Sequence, residues 1–359
     1  MPASAAVHKP QVFLLRLSLL MLVTILTASA QQLSLSDLRE AVSRMVLLNA
    51  DDAEVAARLR RMQPREKIPS TLRAEAEEWG SGPLTLREVD NLIRKSESKP
   101  SSQEVLPTLP GRRGQFEIVD GEPAVILESI RLYAADYSES IPNFLCFRNT
   151  TFLQSKNGID RWKRNLHYRE RLVHLEDGDH HQIVEVDGKR IDDDTIVLLG
   201  GITVSGEFGN ILRRIFEEKT HTRFYWIGEE SNDGERAVAI AFTVAKEHSS
   251  MELSYGGEKQ KEGYRGDLIA SAETGQIRRI RLAMNALPRD FPIRGAAWDI
   301  RYAPVKVDER ELLLPVAATT EAYQWGIFLK NEATYTDYQK YSAESSISFG
   351  PTAELDNEN

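Results

Sequence analysis

The stretch Ala237-Val238-Ala239-Ile240-Ala241-Phe242-Thr243-Val244 decides the fold. Val238, Ile240, Phe242 and Val244 alternate with Ala237, Ala239 and Ala241, a period of two that sends every bulky group to one face of an extended strand. Residues 297–304 repeat the pattern: Trp298, Ile300 and Tyr302 alternate with Asp299 and Arg301, so here the second face is polar. Outward from these two runs, segments rich in Val, Ile, Phe, Tyr, Trp and Thr recur at 143–153, 166–175, 182–186, 222–227, 237–245, 263–271, 277–284, 297–304, 312–317, 325–330 and 335–341. Asp177-Gly178, Asp187-Gly188 and Asp233-Gly234 supply hairpin turns, because Gly tolerates the positive φ that tight turns require. So many strands cannot stay flat; they curl into a partial or closed barrel.

Two helices interrupt the strands. Near 123–140, Val125, Leu127, Ile130, Leu132 and Tyr133 fall at helical spacing until Pro142 ends the run. Near 207–217, Phe208, Ile211, Leu212, Ile215 and Phe216 share one stripe. The expected class is therefore α+β, a long curved antiparallel sheet wrapped around helix.

Upstream, residues 97–113 are rich in Ser, Pro and Gly and form a flexible linker. Residues 31–96 read as a module of short helices, with Leu38, Val42, Met45, Val55, Leu59, Val89 and Leu92 at helical spacing. Asp51 with Glu54 and Thr85 with Glu88 look like capping boxes. Helices this short are unstable alone, so they pack on one another or on the sheet. An interaction module and a structural cap both fit. Residues 1–30 read as a signal peptide: Lys9 and Arg16, an apolar run from Leu17 to Leu26, then Ala28-Ser29-Ala30 as the cleavage site. The division is thus 1–30, 31–96, 97–113, a sheet domain over 114–350, and a disordered tail over 351–359.

The chain has 359 residues, 41% of them hydrophobic, 54 acidic against 45 Lys and Arg, and one cysteine, Cys146. That apolar fraction supports a core and argues against wholesale disorder. Cleavage after Ala30 removes two basic residues and no acidic ones, leaving 329 residues with a net charge of -11. An acidic chain lacks the clustered cations that nucleic acid needs. One cysteine excludes a disulfide framework, and its apolar setting predicts a buried, unreactive thiol. No later run approaches the roughly 20 apolar residues of a transmembrane helix.

Motifs for chemistry are absent. Ser205 stands beside Gly206 without G-x-S-x-G spacing and reads as a helix cap. There is no H-E-x-x-H, P-loop or G-x-G-x-x-G after a strand. Asp177, Asp179, His180 and His181, with Asp192-Asp193-Asp194 further on, are ligand types for a divalent cation. Adjacent His180 and His181 on a strand point to opposite faces, however, so an exposed turn is the better reading. Arg278-Arg279-Ile280-Arg281 and Arg161-Trp162-Lys163-Arg164 read as solvated faces.

The ordering resembles the LolA-like and RseB-like lipoprotein carriers of the bacterial envelope. The matching parts are the helix at 123–140 leading into the strand at 143–153, the turn Asp187-Gly188-Lys189, the hairpin around Gly266 and Thr274-Gly275-Gln276-Ile277, and the final strand at 335–341. The segments Ile141-Pro142-Asn143-Phe144-Leu145-Cys146, Ser205-Gly206-Glu207-Phe208-Gly209 and Pro288-Arg289-Asp290-Phe291-Pro292-Ile293 are similar to a group of exported bacterial proteins. The resemblance implies a half-barrel, closed by helices, without catalytic residues or cofactor. Carriers usually lack a helical module like residues 31–96.

The expectation is an exported, non-enzymatic protein, periplasmic or secreted, binding a lipid, acyl chain, lipoprotein or apolar peptide in the half-barrel. The expected contacts are Ile240, Phe242, Trp298 and Tyr302. The alternative is recruitment of an envelope protein through residues 31–112, with the sheet as scaffold. The structure must decide whether the concave face is open or plugged by helix.

Overall fold

The computed structural model describes residues 32–101, 114–158, 161–175, 178–191, 210–232, 235–255 and 258–341. The expected signal peptide, most of the linker, Asp177, Asp192-Asp193-Asp194, Ser205-Gly206, Asp233-Gly234 and the tail lie outside these residues.

The helical module opens with β1 (Gln32–Leu33) and α1 (Leu35–Leu47), whose N-cap is a reciprocal box. The Asp37 amide donates to Ser34 Oγ and the Ser34 amide donates to Asp37 Oδ2, both at 3.0 Å. Then come α2 (Asp52–Arg60), β2 (Gln63–Pro64), α3 (Thr71–Glu78) and α4 (Pro83–Ser96), with β1 and β2 paired in parallel. The boxes expected at Asp51 and Thr85 do not form; neither Asp51 nor Gly82 caps its helix with a side chain. Instead Asp52 accepts from the amides of Leu84 and Thr85 at 2.9 Å each, so α2 caps α4.

The sheet domain runs β3 (Phe116–Glu117), α5 (Gly121–Ser140), β4 (Phe144–Ser155), β5 (Lys163–Leu175), β6 (Gly178–Val186), β7 (Lys189–Arg190) and α6 (Asn210–Phe216). It continues through β8 (Arg223–Asn232), β9 (Glu235–Val244), the hairpin of β10 (Glu252–Tyr255) and β11 (Glu258–Lys261), then β12 (Tyr264–Ser271) and β13 (Ile277–Met284). Three long strands finish it: β14 (Ile293–Val307), β15 (Arg310–Gln324) and β16 (Ile327–Lys340). The strand segments expected at 325–330 and 335–341 are one strand. Trp325 belongs not to it but to the turn before it, with Trp325 and Gly326 at φ 45° and 81°. The hairpin β10–β11 was not anticipated.

Twelve strands form one antiparallel sheet in the order β3-β8-β9-β12-β13-β14-β15-β16-β4-β5-β6-β7. It does not close, so the expected α+β half-barrel is what forms. Two meanders meet where the last strand, β16, pairs with the first long one, β4, Phe328 opposite Ser155. Helix α5 crosses the inner face. At one end Glu122 pairs with Arg236 at 2.9 Å; at the other the Tyr137 hydroxyl donates to the Leu313 carbonyl at 2.9 Å. The Tyr338 hydroxyl donates to the neighbouring Pro315 carbonyl at 2.6 Å, where β15 bulges against β14 around a proline that cannot donate to the ladder.

Each face carries a core. Inside, Ile126, Leu127, Ile130 and Tyr137 of α5 and Ile211, Leu212 and Ile215 of α6 join the inward side chains of the strands in one core. Outside, Leu38, Met45, Leu48 and Leu59 of the module pack with Ala283, Ala297, Tyr323 and Phe328. Arg44 donates to Glu321 at 2.9 Å and to the Gly158 carbonyl at 2.7 Å, and Asn49 donates to the Met284 carbonyl at 3.1 Å. The module shares its core with the sheet.

Candidate ligand-binding site

Register fixes which side chains face inward together. One row across the sheet is Phe242, Gly266, Leu282, Trp298, Thr320, Asn331, Phe152 and Leu166. The next is Ile240, Leu268, Ile280, Ile300, Ala318, Ala333, Thr150 and Tyr168. All four residues expected at the site therefore lie on the inner face, but in two different settings.

Ile240 and Phe242 are fully buried. A methyl on Gly266 would come within 2.6 Å of Phe242 Cζ, so the ring lies over the neighbouring strand at a position only Gly leaves open. Helix α6 closes this end: Phe216 stacks on Phe224 at 5.3 Å, and the Tyr264 hydroxyl donates to the Arg214 carbonyl at 2.6 Å. Here the helices fill the concavity as core.

Trp298 and Tyr302 border a different region. Tyr302 meets Tyr137 of α5 edge-on at 6.1 Å. Beyond them the inner face of β15 carries the short groups Ala318, Thr320 and Ala322, and that of β16 carries Asn331 and Ala333 between the larger Leu329 and Tyr335. Large groups return on β4 and β5 with Phe152, Leu166 and Tyr168. This strip of short side chains between larger ones is the candidate trough. Ala333, Asn331, Leu166 and Tyr168 are partly exposed, whereas Ala318, Thr320, Ala322 and Thr150 are buried.

Polar groups line the trough beside the apolar ones. Arg148 Nε donates to Glu170 at 2.5 Å, with both side chains 6% exposed, and His181 stands 4.0 Å from the same carboxylate. Burial pushes the Tyr137 and Tyr338 hydroxyls well above their usual pKa, with neighbouring groups adding to it, so both stay protonated donors. Cys146 is fully buried in the same core, as its setting predicts.

His181 turns inward and His180 is exposed. His174 Nδ1 lies 2.7 Å from Asp179. Among the described residues no three His, Cys, Asp or Glu side chains are placed to hold a metal ion. The run 278–281 is not the solvated face expected: Arg278 pairs with Glu235 at 3.0 Å, Arg279 with Asp299 at 2.5 Å, and the buried Arg281 with the buried Asp267, whereas Arg161, Lys163 and Arg164 are exposed. Thr150, Thr320, Asn331 and Ala333 escaped the sequence reading. Their only signal is parity, polar or small residues at the inward positions of their strands.

Among the described residues no helix is long and apolar enough to cross a membrane. No family model matches the chain, and no curated protein matches it. Among solved structures, a LolA superfamily protein from Nitrosomonas europaea is similar at 13% identity, covering 60% of this chain and 93% of that one with a TM-score of 0.33. A DUF1329 family protein from Desulfovibrio piger is similar at 11% identity, covering 62% and 94% with a TM-score of 0.32. A domain described as an outer membrane lipoprotein-sorting protein, from Vibrio parahaemolyticus, is similar at 10% identity, covering 61% and 92% with a TM-score of 0.33. The likeness is one of fold.

Proposed function

We propose that this is an exported protein that works by binding rather than catalysis, holding a lipid, an acyl chain or an apolar peptide in the trough, as a lipoprotein carrier would. The observation that carries the reading is the strip of short side chains Ala318, Thr320, Ala322 and Ala333 between larger ones, with Asn331, Ala333, Leu166 and Tyr168 partly exposed beside it. An apolar chain laid there gains about 25 cal/mol for each Å² removed from water, with a few polar groups fixing its orientation. Trp298 and Tyr302 form one wall, and Ile240 and Phe242 form the packed end behind it. Export after cleavage at Ala30 puts the protein in the periplasm or outside the cell. Recruitment of an envelope protein through residues 31–112 is the weaker reading, because the module already uses its apolar face on the sheet.

Native mass spectrometry of the protein purified from its own envelope tests the proposal. A co-purifying lipid is expected. A clean apo mass, together with no displacement of a fluorescent fatty acid, overturns it.

A further inference from the structure

Two exposed histidines, His221 and His248, meet at the end of the sheet where β8 begins and β9 ends. Their ring centres lie 4.3 Å apart and their planes are inclined by 59°. Neither ring makes a hydrogen bond or ion pair with any described residue.

The backbone fixes both positions. His221 closes the 3₁₀ turn Glu218–Thr220 in the left-handed region, at φ 45° and ψ 41°, which non-glycine residues seldom adopt. On either side of it the Thr220 hydroxyl donates to the Glu217 carbonyl and the Thr222 hydroxyl to the Ile215 carbonyl, both at 2.6 Å. His248 ends the 3₁₀ turn Lys246–His248, and its neighbour Ser249 donates to the Glu262 carbonyl at 2.6 Å. The two turns are held together by the strands they flank, with Arg223 paired to Thr243. Their lysines are already matched, Lys219 with Glu217 at 2.7 Å and Lys246 with Glu262 at 3.0 Å. Glu218 and Glu247 add exposed carboxylates to the same turns, so the local charge favours a cation.

Imidazole nitrogen suits zinc, copper and nickel. A metal–nitrogen bond of about 2.0 Å puts each ring centre about 3.2 Å from the ion, so two imidazoles bound at right angles have centres about 4.5 Å apart. The observed 4.3 Å is close to that spacing. A tetrahedral ion needs about 5.2 Å, a larger adjustment. The spacing therefore favours the tetragonal ions, and among divalent ions Cu2+ binds a given nitrogen site most tightly. Among the described residues no third His, Cys, Asp or Glu is grouped with the pair, which leaves the remaining positions to water.

We infer that His221 and His248 form a surface site for a divalent late transition-metal ion, Cu2+ ahead of Ni2+, held by one nitrogen of each imidazole and by water. The site stands apart from the trough and does not rest on the proposed function. A bound ion ties the turn entering β8 to the segment leading into the β10–β11 hairpin, and so stabilises the folded chain by mass action.

The test is Cu2+ titration of the full chain, made without a histidine tag, read by calorimetry and by electron paramagnetic resonance. Wild type should bind one ion with two coordinated nitrogens. His221→Asn keeps a residue that tolerates left-handed backbone, and His248→Gln keeps an exposed polar group, so both variants should fold. Each should weaken binding about tenfold or more, because the second ligand no longer acts intramolecularly. The double variant should fall little further than either single one. His180→Ala, exposed on β6, should bind as wild type does. Added Ni2+ should raise the melting midpoint of wild type and of His180→Ala, and leave the His221 and His248 variants where they were. No Cu2+ binding by wild type, a spectrum without two nitrogens, or unchanged affinity in both single variants overturns the inference.

Discussion

Strands β14 and β15 face two ways, and their two faces are buried by different means. Outward, Ala297 and Tyr323 meet a helical module held by directional contacts: Arg44 to Glu321, Asn49 to Met284, and the Tyr323 hydroxyl to Glu54. Inward, the next residues along, Trp298 and Ala322, join the core that α5 and α6 complete. A methyl on Gly295 would come within 2.4 Å of the Leu48 carbonyl, which shows how closely the outer partner sits. The same strands thus carry one face held by directional contacts and one with short side chains and a buried indole N–H, that of Trp298, without a partner among the described residues. A cap must be saturated to be stable, whereas a binding face keeps some contacts unmade for its ligand.

The largest break in this comparison comes from Arg44→Leu. Arg44 is 8% exposed and Glu321 16%, so removing the guanidinium strands a carboxylate at the outer interface. The cost should be about 3 kcal/mol, read as a lower urea midpoint, with faster proteolysis of the module than of the sheet. An unchanged midpoint would mean that the module is only loosely held.

A sharper and smaller contrast sets two alanines against each other. Ala297, packed under the module, has no room; Ala297→Leu should cost about 1–3 kcal/mol by overpacking. Ala333, partly exposed in the trough, should accept Leu within about 0.5 kcal/mol. Ala333→Leu should nevertheless abolish binding of a fluorescent fatty acid, because the new side chain occupies the floor. Equal stability losses at the two positions would show that the inner face is packed like the outer one.

The subtlest separation is by pH. In the module, burial works to raise the Asp52 carboxyl, but hydrogen bonding from Thr85 and from the amides of Leu84 and Thr85 outweighs it and holds the pKa below the usual range. A depressed carboxylate stabilises above its unfolded pKa, so this contribution is lost as pH falls below about 4. On the inner face Tyr137 and Tyr338 are raised by burial; that contribution is present below about pH 10 and lost as pH rises further. Hydrogen exchange should therefore show α4 loosening first in acid and the inner strands first in alkali. Both regions opening together at both extremes would remove the distinction.

Much of the sheet was legible because alternation is a property of the strand itself. Val238 to Val244 and Trp298 to Tyr302 announced their inward faces without any neighbour. What was not legible depends on residues far apart in sequence. The helix beginning at Pro83 is capped by Asp52, a residue of another helix, so a search for a local box found Thr85 instead. Trp325 reads as a strand residue by propensity, yet a positive φ beside Gly326 makes it the turn. The four expected site residues share parity, and only the position of α5 and α6 separates Ile240 and Phe242 from Trp298 and Tyr302. Thr150 and Ala333 enter the site because β16 pairs with β4, a contact no local pattern encodes.

By itself the sequence determined most of the long strands and helices, the apolar face of strands such as β9 and β14, and the lack of a recognisable catalytic motif, since these follow from local spacing and side-chain type. Only the tertiary structure decided that the module is docked on the outer face, that α5 and α6 pack into the inner core, and that short side chains of β15 and β16 fall next to one another there. Those outcomes depend on which strands become neighbours and where a helix crosses them. Burial and hydrogen-bond satisfaction are properties of a residue's surroundings, and those of Trp298 come from Leu282 and Thr320 on the strands paired to either side of it.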